Sequence, residues 1–178
     1  MGVAPDFQVH VPVRRPAPKP LSRLLPAPPP PSSAATRTVM RANRSRDTGP
    51  ELALRRALHA RGLRYRVEAV LEPGLRCRAD VVFRSRRVAV FVDGCFWHRC
   101  PIHATDPTRN ADYWEAKFKR IVARDRKNDA ALMAAGWTVV RVWEHEDPHE
   151  AADRIEALIH EFDGLQNSDQ GGSCSSDS

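Results

Sequence analysis

Apolar and polar positions divide this chain into a patterned middle and two unpatterned ends. Asp47-Thr48-Gly49-Pro50-Glu51 carries a capping residue, a proline and an acid suited to the first turn of a helix. Leu52, Leu54, Ala57, Leu58 and Leu63 follow at mostly helical spacing, with Gly62 as the stop. Leu63–Val67 reads as a short strand. Ala79–Phe83 and Val88–Val92 read as two more, joined as a hairpin by the basic turn Arg84–Arg87. Residues 93–111 have no period. Tyr113–Ala135 is a long amphipathic helix closed by Gly136, Thr138–Trp143 a fourth strand and Pro148–Phe162 a last helix. This order predicts an α/β fold: one mixed sheet with helices on both faces.

The ends are different. Residues 1–36 form a Pro/Arg-rich arm, with Pro28-Pro29-Pro30-Pro31 near its end, and cannot bury enough apolar surface to order themselves. Residues 165–178, LQNSDQGGSCSSDS, read as a second disordered tail, leaving 37–164 as one folded domain. Charge follows the same division. Residues 1–46 carry eight Lys/Arg against one acid, whereas 47–178 carry 20 basic and 21 acidic residues. A basic arm on a nearly neutral domain suits a polyanion, because each neutralised phosphate releases counterions. The N-terminal residues lack the apolar run of a secretory signal, and no stretch is long enough to span a bilayer. A reducing cytoplasm is therefore expected, in which Cys77, Cys95, Cys100 and Cys174 are better suited to metal ligation than to disulfides.

The densest chemistry lies in Val88–His103, VAVFVDGCFWHRCPIH. A strand ends at Asp93-Gly94 and runs into two cysteines, two histidines and a Phe-Trp pair. Thiolates and imidazoles at this spacing suit a structural Zn²⁺. Cys95, Cys100 and His103 supply three ligands, and the fourth comes from His145 past the last strand or from His98 between the cysteines. Carboxylates at strand ends suit Mg²⁺. Asp80 interrupts an apolar strand and Asp93 ends the next, so the two converge if the strands pair. Two close carboxylates repel and favour a shared divalent cation, which is the setting for phosphodiester hydrolysis. A turn aspartate is the ordinary reading of Asp93. Helix capping is the ordinary reading of Glu51, and a solvated face that of Asp125. If His145 completes the zinc set, His98 is left free as a general base beside the magnesium. Phe96 and Trp97, with Trp114, either pack as a small core or form a wedge that enters a duplex.

MRANRSRDTGPE, RADVVF, VFVDGCFWHRCPIH, YWEAKFKRIVARDRKND and GWTVVRVWEHE, in that order, cover nearly all of Met40–Glu146. Together they resemble the very short patch repair (Vsr) DNA mismatch endonuclease family. The resemblance implies a restriction-endonuclease-like PD-(D/E)XK core with a structural zinc site. It also implies a Mg²⁺-dependent nick 5′ to the mispaired T of a T·G mismatch left by deaminated 5-methylcytosine. By it, Asp80 falls on the metal-binding aspartate, His98 on the catalytic histidine, and Glu51 and Asp125 on acids near metal-bound water. Cys95, Cys100, His103 and His145 fall on the zinc positions, and Phe96, Trp97 and Trp114 on the wedge. The basic stretch holding Arg41, Arg44 and Arg46 falls on a DNA clasp. Val92-Asp93 departs from the family's Thr-His, and here Asp93 is expected to bind Mg²⁺ directly beside Asp80. The expected partners are mismatched double-stranded DNA and mismatch-repair proteins, met by a monomer associated with the nucleoid. Two alternatives remain at this level: a less specific nuclease acting on modified or foreign DNA, and a zinc-stabilised DNA-binding module without catalysis.

Overall fold

The computed structural model describes residues 46–170, so the expectations for the arm, including Arg41 and Arg44, and for 171–178 lie outside the described residues. The elements run α1 (Gly49–Ala60), β1 (Arg66–Val70), β2 (Arg78–Phe83), β3 (Val88–Asp93), α2 (Ala111–Ala134), β4 (Thr138–Trp143) and α3 (Pro148–Gln170). The four strands form one sheet in sequence order. β1–β2 and β2–β3 are antiparallel, and β3–β4 is parallel. This mixed sheet, flanked by helices, matches a PD-(D/E)XK-like core.

Two apolar layers hold the sheet. On one face Leu54 and Leu58 of α1 and Ile155 and Ile159 of α3 pack on Val81, Phe83, Val88, Val90 and Val142. On the other, Val82 and Ala89 meet Leu132 of α2 and Trp137. β3 is therefore covered on both sides, which is why its sequence is a continuous apolar run. Helix α1 ends where Gly62 takes φ +77, a conformation open to glycine, and the Leu63 amide reaches back to the Leu58 carbonyl.

Two boundaries differ from the expectation. The first strand lies at Arg66–Val70, not Leu63–Val67, because Leu63 and Tyr65 pack onto the core from the preceding coil. Pairing with β2 then sets the strand. The last helix continues to Gln170 rather than stopping at Phe162. Asp163 on that extension accepts a forked pair of hydrogen bonds from Arg86 in the β2–β3 turn, 2.8 and 3.0 Å long, which tethers it.

Leu58 has no exposed surface and bridges α1 to the sheet. Leu58→Ala should cost ~2–5 kcal/mol, read as a lower denaturation midpoint with an unchanged m-value.

Candidate active site and metal centre

The parallel register pairs Asp93 with Trp143. It continues past the strand ends: the Glu144 amide donates to the Asp93 carbonyl (2.9 Å), and the Cys95 amide donates to Glu144 Oε1 (2.7 Å). His145 thereby meets the loop that follows β3. Its Nδ1 lies 3.1 Å from Cys95 Sγ and 3.7 Å from Cys100 Sγ, and His103 Nδ1 lies 4.0 Å from Cys100 Sγ. One donor atom from each of these four residues falls within 4.8 Å of the others. Tetrahedral Zn²⁺ with S and N ligands needs donors about 3.5 Å apart, so number, softness and spacing all fit. Burial pushes the Cys95 thiol up to about 11, with neighbouring Cys100 adding to the shift. Burial opposes a thiolate at Cys100 as well, but the amides of His103 and Ile102 outweigh it and lower its pKa. A cation would remove this conflict between two close thiols. Cys77, Cys95 and Cys100 are all free of disulfides, and Cys77 is a core residue outside the Cys/His cluster.

A separate acidic group forms around Asp80. Its ligand oxygens lie within 4.8 Å of those of Glu51 and Glu68, and Asp93 is not part of the group. Glu51 is buried and serves two ends. Its Oε2 accepts from the Asp47 amide (2.9 Å) and Arg55 (3.2 Å), and its Oε1 from the Thr48 hydroxyl (2.9 Å). That is helix-start capping, as the sequence suggested, performed by a carboxylate that also belongs to the acid group. Glu68 was missed because the first strand was expected to end at Val67. The β1–β2 register sets it across from Asp80, with its backbone at φ +50. A non-glycine residue there is strained. Asp80 Oδ2 accepts from the Val92 amide (2.7 Å). Burial, opposed by that amide but reinforced by Glu51 and Glu68, raises the Asp80 pKa from 3.8 to about 6. Three oxygen donors at one point suit a hard divalent cation.

Asp93 is buried and turned to other partners. Both its oxygens lie 2.7 Å from Arg141 Nη1, and Arg141 Nε and Nη2 each donate to Asp129 at 2.9 Å. The expectation paired Asp80 with Asp93 at a metal; in the structure the carboxylates gathered with Asp80 are Glu51 and Glu68, and Asp93 faces Arg141 in the same cavity. His98 is free of the Cys/His cluster, and its Nδ1 lies 2.8 Å from Asp125 Oδ2 and 3.4 Å from Asp93 Oδ1. With the Asp125 carboxylate as its acceptor, Nδ1 is the nitrogen that carries the proton in the neutral tautomer, and Nε2 is then the unprotonated one. Burial alone would raise the Asp125 pKa, but hydrogen bonds from His98 and Arg124 lower it. Asp125 and Asp129 are thus one turn apart on α2, aimed at His98 and Arg141 and not at solvent. Glu51, Asp80, Asp93, His98, Asp125 and Arg141 all line one cavity of about 320 Å³. Sequence reasoning also passed over Arg141 and Glu144. A charge between Val140 and Val142 was the available signal, since a buried ion needs a partner.

Phe96 and Trp97 pack edge to face, 5.0 Å between centroids, and Phe96 meets Trp114 at 5.6 Å and Phe118 at 5.1 Å. Lys117 lies over Trp97 and Trp114. Phe118 is buried, whereas Phe96, Trp97 and Trp114 stay partly exposed, so the cluster is both small core and available surface. Arg46 is exposed, with its Nε 3.5 Å from Asp47.

Two measurements follow. An acid whose pKa rises on folding holds a proton that the unfolded chain has already released between about pH 4 and 6. Its stabilising contribution is complete below pH 4 and lost as pH rises through 6. Asp80→Asn should therefore raise the Tm of metal-free protein above pH 6, and the gain should vanish towards pH 4. Cys95→Ser should abolish tight metal binding at the sulfur site and lower the Tm by about 10 °C or more. A zinc assay and a thermal scan read both.

The family model described as "DNA mismatch endonuclease Vsr" matches residues 32–103. The type II nicking enzyme V.NaeI of Lentzea aerocolonigenes is 47% identical over 141 residues, spanning 76% of this chain and 85% of that protein. The type II nicking enzyme V.XorIIP of Xanthomonas oryzae pv. oryzae is 44% identical over 112 residues, 62% of this chain and 79% of that protein. The DNA mismatch endonuclease Vsr of Escherichia coli K12 is 39% identical over 113 residues, 62% of this chain and 70% of that protein. With a catalytic-type cavity beside a soft-ligand cluster, these similarities identify a DNA-binding endonuclease of DNA repair: the chain belongs to the Vsr family, together with the type II nicking enzymes related to it.

Proposed function

We propose that this endonuclease nicks double-stranded DNA 5′ to the mispaired T of T·G mismatches that arise from deaminated 5-methylcytosine. The observation that carries the chemistry is the orientation of His98. Asp125 engages its Nδ1, with Asp93 3.4 Å from the same nitrogen, leaving Nε2 as the base in a cavity shared with Asp80 and Glu51. Asp80, Glu51 and Glu68 would hold Mg²⁺. Bound there, it would supply Lewis-acid stabilisation of charge developing on the scissile phosphate. His98 Nε2 would take the proton from the attacking water, while Asp125 holds the ring and stabilises the imidazolium that forms. Cys95, Cys100, His103 and His145 would hold a structural Zn²⁺, fixing the loop that carries His98, Phe96 and Trp97. Those aromatics, with Trp114, are the wedge for the mispaired step. Arg46 and, outside the described residues, Arg41 and Arg44 would hold the phosphate backbone. We place the enzyme in the cytoplasm at the nucleoid, acting as a monomer beside mismatch-repair proteins. Among the described residues no helix is long and apolar enough to cross a membrane.

The departure at Val92-Asp93 supports a second reading, a less discriminating nuclease for modified or foreign DNA. Phosphodiester chemistry is retained in that case, but recognition is relaxed. A non-catalytic zinc-stabilised DNA binder has no use for the His98–Asp125 pair.

End-labelled duplexes with one T·G pair, and matched T·A controls, separate these readings. A single Mg²⁺-dependent nick 5′ to the mispaired T, absent from the control, is expected. Asp80→Ala should reduce it by about 1,000-fold or more, the several kcal/mol that a catalytic metal contributes, while sparing DNA binding. Cleavage of both duplexes would transfer the assignment to the less specific nuclease. Undiminished nicking by Asp80→Ala would overturn the metal assignment.

A further inference from the structure

Asp93 and Arg141 are the residues of the cavity that the proposed chemistry does not use directly. Their geometry is nonetheless the most constrained in the site. Asp93 is buried, and both its oxygens accept from a single Arg141 nitrogen at 2.7 Å. The opposite edge of the guanidinium is engaged in parallel by the two oxygens of Asp129, at 2.9 Å each. Arg141 also lies 5.2 Å from the centroid of the Phe91 ring, which supports its flat face. Only a planar fork with donors on two edges can bridge two carboxylates in this way. The cost of burying Asp93 is met by this pairing, and an unpaired anion there would face Asp125 and Asp129 as well.

Beyond the guanidinium, Asp93 Oδ1 lies 3.4 Å from His98 Nδ1, with Asp125 Oδ2 at 2.8 Å on the same nitrogen. One acceptor leaves an imidazole free to swing about that bond. A second carboxylate, 3.4 Å from the same nitrogen and itself held by Arg141, adds an electrostatic constraint on the swing of the ring and hence on the direction of Nε2. The chain of contacts runs from Asp129 on α2 through Arg141 on β4 and Asp93 on β3 to His98, and Asp125 returns it to α2. A carboxylate already facing a guanidinium is also a poor magnesium ligand, because the two cations would repel each other across it.

We propose that Asp93 and Arg141 form a positioning pair that fixes His98, and that Asp93 acts through this pairing and not as a magnesium ligand. The proposal rests on the reading of His98 as the base.

The test uses the full-length, zinc-loaded protein, with zinc content confirming the fold of each variant. Calorimetry with Mg²⁺ or Mn²⁺ alone is run on Asp93→Asn, Arg141→Met, Arg141→Lys and Asp80→Asn. Single-turnover nicking and DNA affinity are measured alongside, as is the ¹⁵N-correlated Nδ1 proton resonance of His98. Asp80→Asn should abolish metal binding, while Asp93→Asn and Arg141→Met keep it within about 2-fold. These two should lose ~10–100-fold in single-turnover rate without weaker DNA binding, as expected for a misaimed base. Their His98 resonance should move upfield, and Arg141→Lys should recover part of the rate and of the shift. Loss of metal affinity in Asp93→Asn equal to that in Asp80→Asn would overturn the proposal. So would an unmoved His98 resonance in Arg141→Met. Metal affinity and the His98 resonance do not depend on T·G nicking. A wild-type protein that fails to nick would therefore count against the proposed function, and the pair would still be decided by those two readouts.

Discussion

Parallel pairing of β3 with β4 places the soft-ligand cluster and the charged network around His98 and Arg141. The register that sets Asp93 beside Trp143 puts Arg141 within reach of the Asp93 carboxylate and carries His145 to the first residue of the sulfur loop. Glu144 secures the continuation by accepting the Cys95 amide. A shift of one residue would turn Arg141 to the opposite face, into the layer where Val142 and Val90 meet Ile155 and Ile159. It would also separate Cys95 from His145. The soft-ligand cluster and the charged network are thus two outcomes of one strand pairing, and the crossover through α2 gives that pairing its direction.

Within this frame the acids divide into two groups of opposite electrostatic character. Around Asp80, burial and two neighbouring carboxylates outweigh Arg55, the cation paired with Glu51, and the pKa of Asp80 rises. Around His98 and Arg141, each of Asp93, Asp125 and Asp129 has a cationic or N–H partner, and the pKa of Asp125 falls. The first group is suited to receive a cation, whereas the second ties His98, Arg141 and three carboxylates into one network. Glu68 takes φ +50 on an edge strand, a strained conformation for a residue with a side chain.

The aromatic cluster shares its chain segments with these groups. Phe96 and Trp97 follow directly on the first sulfur ligand, and Trp114 opens α2, the helix that also carries Asp125. The aromatic cluster and the His98–Asp125 pair therefore sit on the same two pieces of chain, the sulfur loop and α2.

The sequence by itself determined the composition of the elements and of the soft-ligand set. The periodicities of α1, β2, β3, α2 and β4 are local properties of adjacent residues, and Cys95, Cys100 and His103 are close simply because they are close in the chain. Asp80 stood out because a carboxylate inside an apolar strand demands an explanation. Tertiary structure decided what depends on pairing between distant segments. It chose His145 over His98 as the fourth member of the cluster through the parallel register. It gave Glu68 to Asp80 through a strand whose position is fixed by its partner and not by its own pattern. It turned Asp93 towards Arg141, so that a residue read as a metal ligand became one arm of an ion-pair network. Local sequence encodes which face a residue can present, but the identity of what it meets there is a property of the sheet.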